Sequence, residues 1–231
     1  MSYSPPIDEF PDRPQNRDRI PPGQRKVDGF PVLSINSEPF FDGEKWDLVI
    51  DGLVENPLTL SYEELLKLKK TTLKVDFHCV TGWSRLDLQW AGVSFQTLCE
   101  LVKPLSNAHY VTSSGHENYT SSLPFEDYMN DTDVLIAYEL EGKPLVSVHG
   151  GPLRLLIPKI YAYKSTKWLK KLTFTEKWER GFWEQIGYHQ RADPWLDERF
   201  SSQEERAIKK KRLELEKEHK KNEREKRNAS L

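Results

Sequence analysis

Cys79 stands in DFHCVTGWSRLDLQWAGV, where a strand-like run meets a turn containing Gly82, with His78, Thr81, Trp83, Ser84 and Arg85 around it. A strand end followed by a turn is a good place to present a thiolate, the form of cysteine that acts as nucleophile or metal ligand. Several readings are open. A nucleophile paired with His78 requires the chain to turn there, because adjacent strand residues point to opposite faces. Zinc requires several Cys and His ligands at short spacings, which one cysteine with scattered histidines does not supply. A third reading is one soft thiolate on a redox metal whose other ligands belong to an organic cofactor. On spacing alone an ordinary buried cysteine stands ahead of all three.

A second stretch, SVHGGPLRLLIPKIYAYKSTKWLKK, shifts that balance. His149 and Arg154 flank a Gly-Gly-Pro turn, and a following loop carries Lys164, Ser165, Thr166 and Lys167. A guanidinium fork, lysine charges, small hydroxyls and backbone N–H groups together suit a phosphate monoester or pyrophosphate. The LRLLIP run between them reads as a buried strand, which would fix the two loops relative to one another. The competing reading is a solvated basic face; the residues favour the anion site.

These loops have to be held by a core, and the sequence outlines one. Trp46 to Leu60 alternates apolar and polar residues, with breaks at Asp51–Gly52 and Asn56–Pro57. Ser61, with Glu64 three residues on, predicts a capping box opening a short helix over YEELLKLK. LKVDFHCV reads as a strand, and GVSFQTLCELV as a helix in which Cys99 is a packing residue. HYVTSS, DVLIAYEL and PLRLLIPKIYAY read as further strands between Gly, Pro, Asn and Asp turns. Without βαβ alternation or a Gly-rich phosphate loop, the pattern predicts a mixed α+β fold with mainly antiparallel strands.

The organisation expected is an extended arm over residues 1–25, one domain over 26–200, and a charged helix or tail over 201–231. The last is rich in Glu with Lys or Arg three or four residues apart, as in a solvated single helix; its few apolar positions argue against a coiled-coil seam. Its Lys209–Arg212 run reads as part of a soluble tail before it reads as an RNA contact or targeting signal. The 231 residues carry a formal net charge of −2, so no nucleic-acid partner is expected from overall charge. No run of 18 apolar residues and no signal-peptide pattern is present; a cytoplasmic protein without a membrane span is expected. In a reducing compartment Cys79 and Cys99 are not expected to pair.

HCVTGWS, HGGPLRLLIP, YAYKSTKW and GFWEQIGYH, in that order and spacing, resemble the molybdopterin-binding domain of the sulfite oxidase family, in particular its small single-domain bacterial-type members. The resemblance runs from PPGQ at 21–24 to DPWLDERF at 193–200. It implies a β-rich sulfite oxidase-type fold and a molybdenum–molybdopterin cofactor without an added nucleotide, with Cys79 as the protein ligand of the metal. It also implies that Gln24, His149, Arg154, Lys164, Ser165, Thr166 and Lys167 contact the cofactor. Two-electron oxygen-atom transfer on a small oxyanion, S-oxide or N-oxide would follow, with electrons exchanged with a separate partner.

By the same resemblance Tyr188, spaced from Trp183 like an active-site aromatic pair, is a catalytic candidate. Aromatic packing reads equally well there. Sulfite oxidases carry basic residues soon after the metal-bound cysteine. Here Trp83 and Ser84 follow, as in the periplasmic methionine sulfoxide reductases, with Arg85 offset by one place. Trp83, Ser84, Arg85 and His116 are therefore expected at the substrate pocket, although a lone histidine such as His116 is more often a surface residue. The other readings are a molybdopterin-binding or carrier protein without turnover of its own, and an interaction protein acting through its charged helix.

Overall fold

The computed structural model describes residues 10, 18–35, 37–41, 45–126 and 133–229, with side chains to 222. Most of the expected arm, residues 1–9 and 11–17, lies outside the described residues. What is described of it packs onto the domain. Phe10 is buried edge-on against Trp178, Arg19 pairs with Asp76 at 2.7 Å, and β1 (Arg25–Lys26) joins a sheet.

Seven elements follow in order: β2 (Asp47–Gly52), β3 (Leu58–Ser61), α1 (Tyr62–Lys67), β4 (Lys70–Cys79), β5 (Trp83–Ser94), α2 (Phe95–Val102) and β6 (Tyr110–Ser114). After these come β7 (Thr120–Pro124), β8 (Leu135–Leu140), β9 (Lys143–Pro144), β10 (Arg154–Leu156), β11 (Lys171–Thr175), α3 (Phe182–Gln185) and α4 (Glu204–Ala229). The expected capping box is present: Glu64 N–H donates to Ser61 Oγ, while the Ser61 N–H donates to the Glu64 carboxylate at 2.9 Å. Cys99 packs against the core from α2, and burial pushes its thiol up to about 12, so it is inert at neutral pH.

Two sheets form. One runs β1-β5-β8-β10, with β4 on β5 and β9 on β8; the other runs β3-β2-β11-β6-β7. Pairing is antiparallel except for β1 with β5 and β2 with β11, the mixed, mainly antiparallel α+β architecture expected. Leu48, Ile50, Leu172 and Phe174 of the second sheet meet Val93, Ile136 and Leu155 of the first in one core. Each such fully buried side chain contributes about 1.5–3 kcal/mol, well beyond an exposed ion pair.

The first sheet has a second buried face, and strand alternation decides what stands on it. On β8, Ile136 points into the shared core and Leu135 and Ala137 to the far face. On β10, Leu155 points inward and Leu156 to the far face, where Phe77, Trp83, Leu88 and Trp90 gather with Cys79. Arg154, two residues before Leu156, is carried to that same face.

Two expectations change. WSRLDLQWA carries no predicted element and GVS is expected to open a helix, but together they are the 12-residue strand β5, and α2 starts only at Phe95. It bulges where Gly92 meets β8, and a Cβ on Gly92 would lie 2.1 Å from the Ile136 carbonyl oxygen. PLRLLIPKIYAY is strand only at Arg154–Leu156, because Pro158 lacks a ladder donor and the chain then enters a 3₁₀ turn at Ala162–Lys164.

Candidate active site

The far face of the first sheet floors a pocket of about 320 Å3. Cys79, at the end of β4, lies on it and is 7% exposed; its Sγ is 3.1 Å from the Thr81 hydroxyl. The turn closes when the Gly82 N–H donates to the Cys79 carbonyl at 3.0 Å, and Gly82 takes φ +94°, which favours glycine. His78 points the other way. Its buried ring is 2.8 Å from Ser84 Oγ and edge-on to Trp195, and burial pushes it down to about 4, so a Cys79–His78 nucleophile pair does not form. Among the described residues no three His, Cys, Asp or Glu side chains come together as a metal-holding group.

Three basic groups line the same cavity as the thiol. Arg154 is 6% exposed, its guanidinium 4.8 Å over the Phe77 ring and 5.8 Å over that of Trp90. Nη1 donates to the His149 carbonyl at 2.8 Å, Nε has no partner, and among the described residues no carboxylate pairs with it. Burial pushes it down to about 10. His149 stacks on Phe30 at 4.5 Å and is held below its ordinary value, first by burial and then by Arg154 and Lys167. Lys167 donates to the carbonyls of Leu33 and Val148, and burial, with Arg154 nearby, pushes it down to about 8. Ser165 Oγ accepts from the Ile157 N–H at 3.0 Å and keeps its own proton to donate. A buried guanidinium with a vacant donor, a half-buried ammonium and a hydroxyl facing one cavity form an anion site. These are the donors that a pterin phosphate requires, and the thiol on the same floor suits the metal.

Lys167 supplies a pH test. Its folded-state value lies below that of an unfolded lysine, so the burial of its charge destabilises the empty protein fully below pH 8. That destabilisation fades as pH rises toward 10.5. Lys167→Met is expected to raise the melting temperature of the cofactor-free protein more at pH 7 than at pH 9. A difference that does not change with pH would count against a buried charge there.

Of the residues expected here, the pocket brings together Cys79, Trp83, His149, Arg154, Ser165, Lys167 and Tyr188. Tyr188 packs at 4.9 Å against Trp183 and 5.5 Å from Tyr163. The others lie elsewhere. Lys164 is not presented to the cavity: the 3₁₀ turn directs it inward, where its buried ammonium pairs with Glu184 and donates to the Ser122 carbonyl. The Thr166 hydroxyl is spent on Ser113 at 2.7 Å. Ser84, the second residue of β5, alternates away from Trp83 toward His78 and Gln24, and Arg85 is not among the residues that line the cavity. Gln24 donates to the Cys79 carbonyl at 3.1 Å from beneath the turn. His116 meets the outer edge of Trp168, and it is Trp168 that lines the cavity.

The sequence reading did not single out Phe30 to Ile35, Tyr119 or Trp168, which complete the walls. Val32, Leu33 and Ile35 stand exposed at the rim. Tyr119 donates to the Tyr163 carbonyl, and burial raises its phenol well above the usual range.

The family model of the oxidoreductase molybdopterin binding domain matches residues 35–183. The chain is 42% identical over 184 residues to the uncharacterized oxidoreductase YuiH of Bacillus subtilis, covering 79% of this chain and 92% of that protein. It is 30% identical over 190 residues to the protein-methionine-sulfoxide reductase catalytic subunit MsrP of Campylobacter jejuni, covering 73% of this chain but 64% of that protein. A match of 30% identity to the NADPH nitrate reductase of Fusarium oxysporum covers 57% of this chain and 17% of that one. Among solved structures, the sulfane dehydrogenase SoxCD of Paracoccus pantotrophus shares the fold, with a TM-score of 0.58 at 23% identity over 68% of this chain and 46% of that one.

Proposed function

This chain belongs to the oxidoreductase molybdopterin binding domain family, and from that premise we propose that it transfers an oxygen atom to or from a small S-oxide, N-oxide or oxyanion, exchanging electrons with a separate partner. The observation that carries the reading is the vacant, buried donor of Arg154 in the cavity that also holds the Cys79 thiol. In this reading Cys79 is the metal ligand, and Arg154, Lys167, Ser165 and His149 hold the pterin and its phosphate. When bound, a molybdenum–pterin group supplies the two-electron redox chemistry.

The chain's own residues do the rest. Phe30, stacked on His149, and Trp168, whose Nε1 donates to the Ser147 carbonyl at 2.8 Å, wall the anionic end and exclude water from it. Arg154 and Lys167 are engaged there. Beside Cys79 the lining is aromatic, from Trp83, Tyr163, Trp183 and Tyr188, and Arg85 is outside it. That environment favours a neutral S-oxide or N-oxide over a dianion, since a buried dianion without a cation of its own is costly. We assign Tyr188 to donate its phenolic proton to the substrate oxygen. The name of MsrP, a relative sharing 30% identity, accords with an S-oxide. We also place the enzyme in the cytoplasm, which its two free thiols suit; cell fractionation tests this.

The test is molybdenum and pterin analysis of protein from a host that makes the cofactor, followed by turnover of S-oxides with a reduced viologen donor. About one equivalent of each per chain, with turnover, is expected. Neither metal nor pterin would overturn the reading, and bound cofactor without turnover on any oxide would make the protein a carrier.

A further inference from the structure

The turn that presents Cys79 is held from outside the segment that the family model matches. Three of its backbone carbonyls are taken. Gln24 Nε2 donates to that of Cys79 at 3.1 Å, the Arg25 N–H to that of Gly82 at 3.0 Å, and Arg199 Nη1 to that of Val80. Gln24 and Arg25 precede residues 35–183 and Arg199 follows them. Of the three clamping groups only the guanidinium is charged.

Arg199 is itself fixed on every side. Its Nε donates to Asp197 Oδ1 at 2.6 Å, and its guanidinium lies 5.5 Å over the ring of Tyr161, whose hydroxyl donates to the same carboxylate oxygen at 3.3 Å. Its backbone N–H donates to Gln203 Oε1 at 2.9 Å, and its carbonyl accepts from the His189 N–H at 3.0 Å. Gly23 and Gly82, both at positive φ (+69° and +94°), border the guanidinium, since a Cβ on Gly23 would stand in ordinary contact with Nη2 at 3.4 Å and one on Gly82 would stand 4.0 Å from Nη1. The Arg199 side chain is 19% exposed, whereas Asp197 is 53% exposed. Water therefore screens the aspartate more than the guanidinium that faces the turn.

We propose that Arg199 is a positioning residue for Cys79: it locks the Val80 carbonyl so that the thiolate keeps one orientation, and its fixed positive charge favours the reduced state of the centre the thiolate holds. The second half rests on the reading of Cys79 as metal ligand; the first does not. A group that orients a ligand from behind controls metal retention and potential without touching substrate.

The test uses Arg199→Met and Arg199→Lys in the full chain. In cofactor-free protein, hydrogen exchange at the Gly82 amide, which closes the turn, is expected to quicken about tenfold in Arg199→Met, because a charge-assisted bond is lost. In loaded protein, the affinity for the metal centre is expected to fall about ten- to hundredfold. The one-electron potential is expected to fall by about a factor of ten in equilibrium constant, about 59 mV. Arg199→Lys, which keeps the charge but not the fork, should recover the potential more fully than the exchange rate. Unchanged exchange, or a wild-type potential in fully loaded Arg199→Met, overturns the proposal. Wild-type protein that takes up no molybdenum would instead strike the cofactor reading, and the exchange measurement would still decide the hold of Arg199 on the turn.

Discussion

Cys79→Ser is expected to abolish turnover, by at least about three orders of magnitude, while leaving the fold intact. A hydroxyl is a poor ligand for a soft redox metal, so the loss falls on the chemical step and on molybdenum content together. The fold is spared because the bonds that shape the turn use backbone: the Gly82 N–H and the Gln24 amide reach the Cys79 carbonyl, which serine retains. The 3.1 Å contact of Sγ with the Thr81 hydroxyl is one that Oγ can also make. The measurements are metal content, turnover and the thermal melt of the variant. Activity near that of wild type would show that the thiol is not the ligand, and a collapsed melt would show instead that it is a packing residue.

How far the sequence foretold this site depends on how local each signal is. The Ser61–Glu64 capping box and the strand ending at Cys79 are written in neighbouring residues, and both are found. The two lysines of KSTK look equivalent in sequence, yet Lys164 turns inward and Lys167 faces the cavity. The deciding partner of Lys164 is Glu184, 20 residues away and brought near only by packing against β7. Ser84 and Arg85 follow the Gly82 turn directly and so read as neighbours of Cys79, whereas the alternation of Leu86, Leu88 and Trp90 with Asp87 and Gln89 belongs to the strand β5. On β5 Ser84 alternates away from Trp83, and the irregular register opposite Val75 and Phe77 is what lets Trp83 share a face with Leu88 and Trp90; Arg85 does not line the cavity. The walls from Phe30 to Ile35 and at Trp168 carry no polar motif, so an aromatic there reads as core. Likewise, Arg199 contributes through a backbone carbonyl 119 residues away, which no spacing rule detects.

Arg154 gives the second large effect, and it separates binding from stability. In the empty protein the guanidinium is buried with Nε unpartnered, and burial brings it down to about 10, a penalty of roughly 3 kcal/mol on the charged form at neutral pH. The stacking on Phe77 and Trp90 offsets part of that, about 1–2 kcal/mol, and the bond to the His149 carbonyl offsets part of the remainder. Methionine fills similar volume between the same two rings and carries no charge. Arg154→Met is therefore expected to leave the cofactor-free protein at least as stable as wild type in urea, which is unusual for a change at a residue this deeply buried. The same variant should lose about a hundredfold or more in cofactor retention, because the guanidinium fork is the strongest anion donor in the cavity. Arg154→Lys, with the charge but without the fork, should fall between the two in retention. An empty Arg154→Met protein some 3 kcal/mol less stable than wild type would mean that the arginine is a structural strut. A stable one that still purified with a full complement of molybdenum and pterin would mean that the anion is held elsewhere.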